Sequence, residues 1–137
     1  MRNFTLLDQV VIDSQTGIIG LSASGHSDSA PSLALKIEGD YIAISASYGA
    51  LEIALRPRLE ELKWALAHMQ PLDGLQTTSR QVGSTQSYLA FGLRSDGTLT
   101  LRPTILTDAT GHITINLRLS NDARTTLYTW LNVTPKS

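Results

Sequence analysis

The chain has 137 residues, no cysteine, and eleven basic against twelve acidic side chains, for a formal net charge of -1. This excludes a disulfide framework, a thiol nucleophile and a thiolate metal site, as well as a whole-molecule electrostatic pull toward nucleic acid or an anionic membrane. A hydrophobic fraction of 42% and a charged fraction of 17% belong to a folded globular chain, long enough to bury one core without staples.

Residues 4–12 (FTLLDQVVI) and 16–23 (TGIIGLSA) read as branched, apolar strands joined by the turn composition Asp13-Ser14-Gln15-Thr16-Gly17. Residues 25–32 are small and polar and read as a loop. LALKI (33–37) and YIAISA (41–46) flank Glu38-Gly39-Asp40 as a hairpin. The strand ALEIALR (50–56) follows, with Leu51, Ile53 and Leu55 on one face. Pro57 suits a first helical turn, and Leu59, Leu62, Leu66 and Met69 then recur at helical spacing, which predicts a helix over 57–69. Gln70-Pro71-Leu72-Asp73-Gly74 stops it.

The order then repeats. Residues 76–87 are a polar strand or loop. LAFGL (89–93), a turn at Ser95-Asp96-Gly97, and TLTLRP (98–103) make a second hairpin. TILTD (104–108) leads to the alternating strand HITINLRL (112–119). Ser120, Asn121 or Asp122 caps a last helix carrying Leu127, Trp130 and Leu131. LALKIEGDYIAI aligns with LAFGLRSDGTLTL and GALEIALR with GHITINLR, which sets Gly49 against Gly111 and Arg56 against Arg118. The expected fold is therefore α+β: a ββββα unit twice over, about residues 1–74 and 75–137, packed as one pseudo-dimeric domain. Gly20 and Gly92 read as strand bulges.

Two tandem four-strand-plus-helix units resemble the fold of the Whirly transcription factors. Positive-cofactor-type coactivators, mitochondrial guide-RNA-binding proteins and actinobacterial sporulation-division proteins are similar in form. The resemblance covers nearly the whole chain in topology. It implies either single-stranded nucleic-acid binding or action through protein contacts. The lysine-rich KGKAAL-type strand of Whirly proteins has no counterpart in this sequence, so no binding residue of that family carries over.

Strand parity separates two kinds of face. With Leu99, Leu101, Ile113, Ile115 and Leu117 inward, Arg94, Arg102 and Arg118 point outward beside Thr98, Thr100, Thr114, Asn116 and Tyr88. Arginines with an aromatic on an open sheet suit single-stranded DNA or RNA; long polar side chains also simply solvate an exposed sheet. The matching face of the first half holds Lys36, Glu38, Tyr41, Ser45, Glu52 and Arg56, whose charges nearly cancel. Trp64 lies off the Leu59/Leu62/Leu66 stripe, at its border, where it is either a core-edge side chain or a protein-contact anchor.

Catalysis has little support. His26, His68 and His112 are scattered, no metal-ligand spacing occurs, and Asp13, Asp28, Asp40, Asp73, Asp96, Asp108 and Asp122 sit in turn compositions where they cap the backbone. The expectation is a non-enzymatic protein without cofactor or metal. It acts through a protein partner or self-association, with nucleic-acid binding as the alternative. No run approaches the ~18 apolar residues of a membrane span, and the N-terminal stretch with its two aspartates is unlike a secretory leader, so a cytoplasmic location is expected.

Overall fold

The computed structural model describes residues 4–24, 30–69, 71–72, 80–106 and 111–135. In chain order the elements are β1 (Thr5–Leu7), β2 (Gln9–Asp13), β3 (Ile18–Ser22), β4 (Ser32–Glu38), β5 (Tyr41–Tyr48), β6 (Leu51–Leu55), α1 (Leu59–Ala67), β7 (Pro71–Leu72), β8 (Arg80–Gly83), β9 (Ser87–Arg94), β10 (Leu99–Leu106), β11 (His112–Thr114), β12 (Leu117–Leu119) and α2 (Asn121–Leu131). The fold is α+β, with two sheets and two helices. Strands β2 to β6 form an antiparallel five-stranded sheet in sequence order. The remaining strands build a seven-stranded sheet ordered β1-β12-β10-β9-β7, with β11 also beside β10 and β8 beside β9. Strands β1 and β7 join it in parallel.

The stretch 4–12, expected as one strand, is two strands in different sheets. The break is at Asp8, whose carboxylate accepts the Ser24 backbone N–H at 2.9 Å and the Ser24 hydroxyl at 2.8 Å. Leu7 thereby reaches Leu119 in the seven-stranded sheet, while Gln9 pairs with Ser22 in the other.

A second difference lies at Pro103. TLTLRP and TILTD are expected apart, yet their residues Leu99–Leu106 form the single strand β10, and HITINLRL divides into β11 and β12. The Ile115 N–H donates to the Pro103 carbonyl at 3.2 Å, but proline has no N–H to return to Ile115, and the ladder lapses between Thr114 and Leu117. Gly20 and Gly92 are not bulges. Gly20 sits in register between Val11 and Ala34, and Gly92 opposite Thr100. Positive φ is needed instead at Gly83 (φ 120°), where the chain leaves β8; a Cβ there would lie 2.7 Å from the Ser87 carbonyl oxygen.

Both helices follow from local chemistry. The helix expected over 57–69 is shorter, because Arg58 bridges to Tyr41 and Pro57 stays outside the first turn. Its apolar stripe still buries Leu62 and Leu66 and half-buries Leu59, with Met69 buried just beyond its end. Its N-cap, Arg58, supplies no side-chain bond; the Leu59 N–H is taken by the Asp40 carbonyl at 2.9 Å. In α2 the Ser120 hydroxyl accepts the Ala123 N–H at 3.1 Å, so Ser120 is the cap among the three expected. Asn132 ends this helix in the left-handed region at φ 59°.

Each helix touches both sheets, α1 against β5 and β8, α2 against β12 and β2. The inner faces of the two sheets meet through β6, β9 and β10. Ile42, Ile44, Leu66, Phe91, Leu99 and Leu127 thus belong to one buried cluster. The Tyr128 hydroxyl, buried with its ring, donates to the Leu66 carbonyl at 3.0 Å and ties the helices together. Trp130 packs partly buried against this core. Among the described residues no helix is long and apolar enough to cross a membrane.

Candidate interaction surfaces

The outer face of the seven-stranded sheet carries the arginines. Register places Arg118 opposite Thr100, and Thr100 opposite Gly92; Arg102 lies opposite Ala90, and Tyr88 opposite Thr104. Arg94 follows Gly92 on the same side of β9 by the two-residue period of the strand. Arg94, Arg102, Arg118 and Tyr88 therefore share one face.

Their environments differ. The Arg102 Nε donates to the Asn116 Oδ1 at 3.2 Å. The Arg118 Nε is buried and meets no hydrogen-bond partner among the described residues. Arg94 is exposed, and Tyr88 is half-buried at the far end. Ile113, expected inward, is 39% exposed, because β11 runs past the edge of the core.

The face is also less cationic than parity alone suggests. Asp96, in the β9–β10 turn, accepts the Thr98 hydroxyl at 2.7 Å and the Thr98 N–H at 3.0 Å. These bonds, with the neighbouring charges of Arg94 and Arg118, hold its carboxyl below the ordinary value. The same turn is braced by α2: the Arg124 Nη1 donates to the Gly97 carbonyl at 3.4 Å, with its guanidinium 4.7 Å from the Tyr128 ring centre. Helix α2 thus brings to the turn a fourth arginine that strand parity had no means to place.

The outer face of the five-stranded sheet is unlike it. One row of register neighbours crosses all five strands as Val11, Gly20, Ala34, Ser45 and Ala54. Ala34, Ser45 and Ala54 of this row, with Ile18 and Ala43, line a shallow open groove of about 390 Å³ that Lys36 and Arg56 also border. The expected cancellation of charge is visible there. Arg56 Nε meets Glu38 Oε1 at 3.1 Å, and the Arg56 and Arg58 guanidinium groups lie 4.8 and 5.5 Å from the Tyr41 ring centre.

Two other features stand out at the surface. Trp64 is 56% exposed, on the outward side of α1, with its ring stacked on His68 at 4.3 Å. It is thus exposed and not a core-edge side chain. Val11 (68% exposed) and Ile12 (49%) lie on opposite faces of β2, the outermost strand of the five-stranded sheet. Sequence reading missed this pair, since nothing local in QVVID marks a strand as outermost.

Among the described residues no three His, Asp or Glu side chains gather as a metal set would. His26, Asp28, Asp73 and Asp108 lie outside the described residues. His68 is committed to its helix, its Nδ1 donating to the Trp64 carbonyl at 2.8 Å, and His112 is exposed at the start of β11. Asp13 caps its turn as expected, its carboxyl held below the ordinary value by the N–H groups of Gln15 and then Thr16. No known protein family, curated protein or solved structure matches this chain.

Proposed function

We propose that the chain is a non-enzymatic binding or assembly module that acts through protein–protein contacts, built from two tandem sheet-plus-helix units of Whirly-like form. The duplication is supported by order: strands β2 to β6 lead into α1, and β8 to β12 lead into α2. The functional reading rests on the apolar material that regular elements hold at the surface: the bare groove of the five-stranded sheet, Val11 and Ile12 on the two faces of its outermost strand β2, and Trp64 on α1. Surfaces of this kind suit a protein partner, since tryptophan and close-packed small residues both favour dehydrated contacts.

Light scattering over a wide concentration range, combined with affinity capture on the immobilised chain, tests this reading. The expected result is self-association or one reproducible partner, weakened by Trp64→Ala or Ala34→Glu. A strict monomer that captures nothing reproducible overturns it.

The shared face of Arg94, Arg102 and Arg118, with a buried Nε on Arg118 that has no hydrogen-bond partner among the described residues, favours a second reading, single-stranded DNA or RNA binding. It predicts affinity for labelled oligo-dT or oligo-U in fluorescence anisotropy, with log affinity falling against log salt at a slope of about −2 at ~0.7 per phosphate contact. The double variant Arg102→Ala/Arg118→Ala removes most of that binding. No binding at low salt excludes this reading.

A further inference from the structure

The sheet edges are not equally protected. A strand at the edge of a sheet shows a row of N–H and C=O groups that a further strand can adopt, and proteins guard such edges with brevity, charge, proline or cover. In the seven-stranded sheet the outermost strands are short: β1 and β11 have three residues and β7 two, and the four-residue β8 beside β9 is packed against α1. In the five-stranded sheet β6 is outermost on one side, with Glu52 as its second residue and Arg56 just beyond its end; its inner face, Ile53 and Leu55, is buried against β9 and β10. An added strand there would have to clear the other sheet. The opposite outermost strand, β2, is less guarded: its one charge is Asp13 at its end, and α2 touches it. It is five residues long, pairs only with β3 among the described residues, and has no lysine, arginine or proline. Its branched side chains face solvent on both sides, Val11 on one and Ile12 on the other.

Deepening the assembly reading above, on which this rests, we infer that β2 is a self-recognition edge: two copies of the chain pair antiparallel through β2, with the twofold axis at Val11, and fuse their five-stranded sheets into one of ten strands. The register argues for a second copy as the occupant. About an axis at Val11, Val11 meets its own copy, Val10 meets Ile12 twice, and Gln9 meets Asp13 twice. Each apolar side chain opposes an apolar one, and no like charges face each other. The pairing also continues the small-residue row of each copy, so Val11-Gly20-Ala34-Ser45-Ala54 runs outward from the axis in both directions. A net charge of -1 per chain opposes the approach of two copies only weakly.

The test uses the full chain in sedimentation velocity, with Val11→Lys and Val11→Glu. Val11 is exposed in the single chain, so both variants should keep the circular dichroism and thermal midpoint of the parent. The parent should dimerise. Each variant alone should be monomeric, because like charges then meet across the axis. An equimolar mixture of the two should dimerise again, because lysine then meets glutamate. In hydrogen exchange the β2 amides of the parent should gain protection as concentration rises. A monomeric parent, a dimer that persists in Val11→Lys, or a mixture that stays monomeric overturns the inference. A persisting dimer leaves the broader assembly reading standing on another surface, whereas a monomeric parent that also captures no partner removes both. If both variants unfold, the exchange profile of the parent decides: β2 amides whose protection does not change with concentration overturn the inference.

Discussion

The two sheets present nearly identical inner faces and unlike outer ones. Inside, leucine, isoleucine, alanine and phenylalanine alternate into one shared core from both sides. Outside, the five-stranded sheet offers glycine, alanine and serine around an open groove, while the seven-stranded sheet offers arginine, threonine and asparagine. Because successive strand residues point to opposite faces, the outer set can change without disturbing the inner one. Folding constrains the two sheets alike, and the difference between their outer surfaces is where a difference in role resides.

The largest expected effect probes the shared interior. Phe91→Ala should cost about 3–5 kcal/mol and Ile44→Ala about 2–5 kcal/mol, each lowering the midpoint of a single urea transition seen alike by tryptophan fluorescence and circular dichroism. Two separate transitions would break the comparison, since each sheet would then own its core. Next comes the contrast between the helices that flank the sheets. Ser120→Ala removes the only side-chain cap of the two and should cost about 1 kcal/mol, measured by the same denaturation.

Acid sharpens the likeness between the two aspartate-led turns, one in each sheet. Folding depresses the pKa of Asp13 and of Asp96, so each stabilises the fold at neutral pH, and that contribution is lost as pH falls through the depressed value. The urea midpoint should therefore drop on acidification below the ordinary carboxylate range. Asp13→Asn and Asp96→Asn should each be less stable at pH 7 and lose less on acidification. For Asp96→Asn the difference should shrink in high salt, because Arg94 and Arg118 lie near. The smallest effect belongs to the outer face of the five-stranded sheet. Glu38→Gln breaks an exposed ion pair with Arg56 and should change stability by less than about 1 kcal/mol; a larger loss would mean that this face carries more of the fold than its exposure implies.

What was legible in the sequence was local. The hairpin around Gly39, the helix begun after Pro57 and the cap at Ser120 are set by neighbours a few residues apart, and strand parity grouped Arg94, Arg102 and Arg118 on one face. What was not legible depends on partners distant in the chain. The sequence FTLLDQVVI carries no mark of its division at Asp8, because Thr5 answers to Leu117 and Gln9 to Ser22. Whether Val11 and Ile12 are covered or bare depends likewise on which strand ends the sheet. Pro103, the last residue of the expected strand TLTLRP, sits within β10 because a central strand tolerates one missing donor when the facing strand interrupts its own ladder.

The parallel pairing of β1 with β12 also orders events during synthesis. Leu7 leaves the ribosome long before Leu119, the residue it aligns with in the seven-stranded sheet, and it is fully buried in the finished fold. Until β12 has emerged, β1 lacks the strand it is hydrogen-bonded to, and Leu7 lacks part of its cover. Contacts so distant in sequence slow folding, and nascent or truncated chains that expose such a surface are substrates for chaperones and proteases. Strand β1 is thus a checkpoint that only a chain extended as far as β12 can pass.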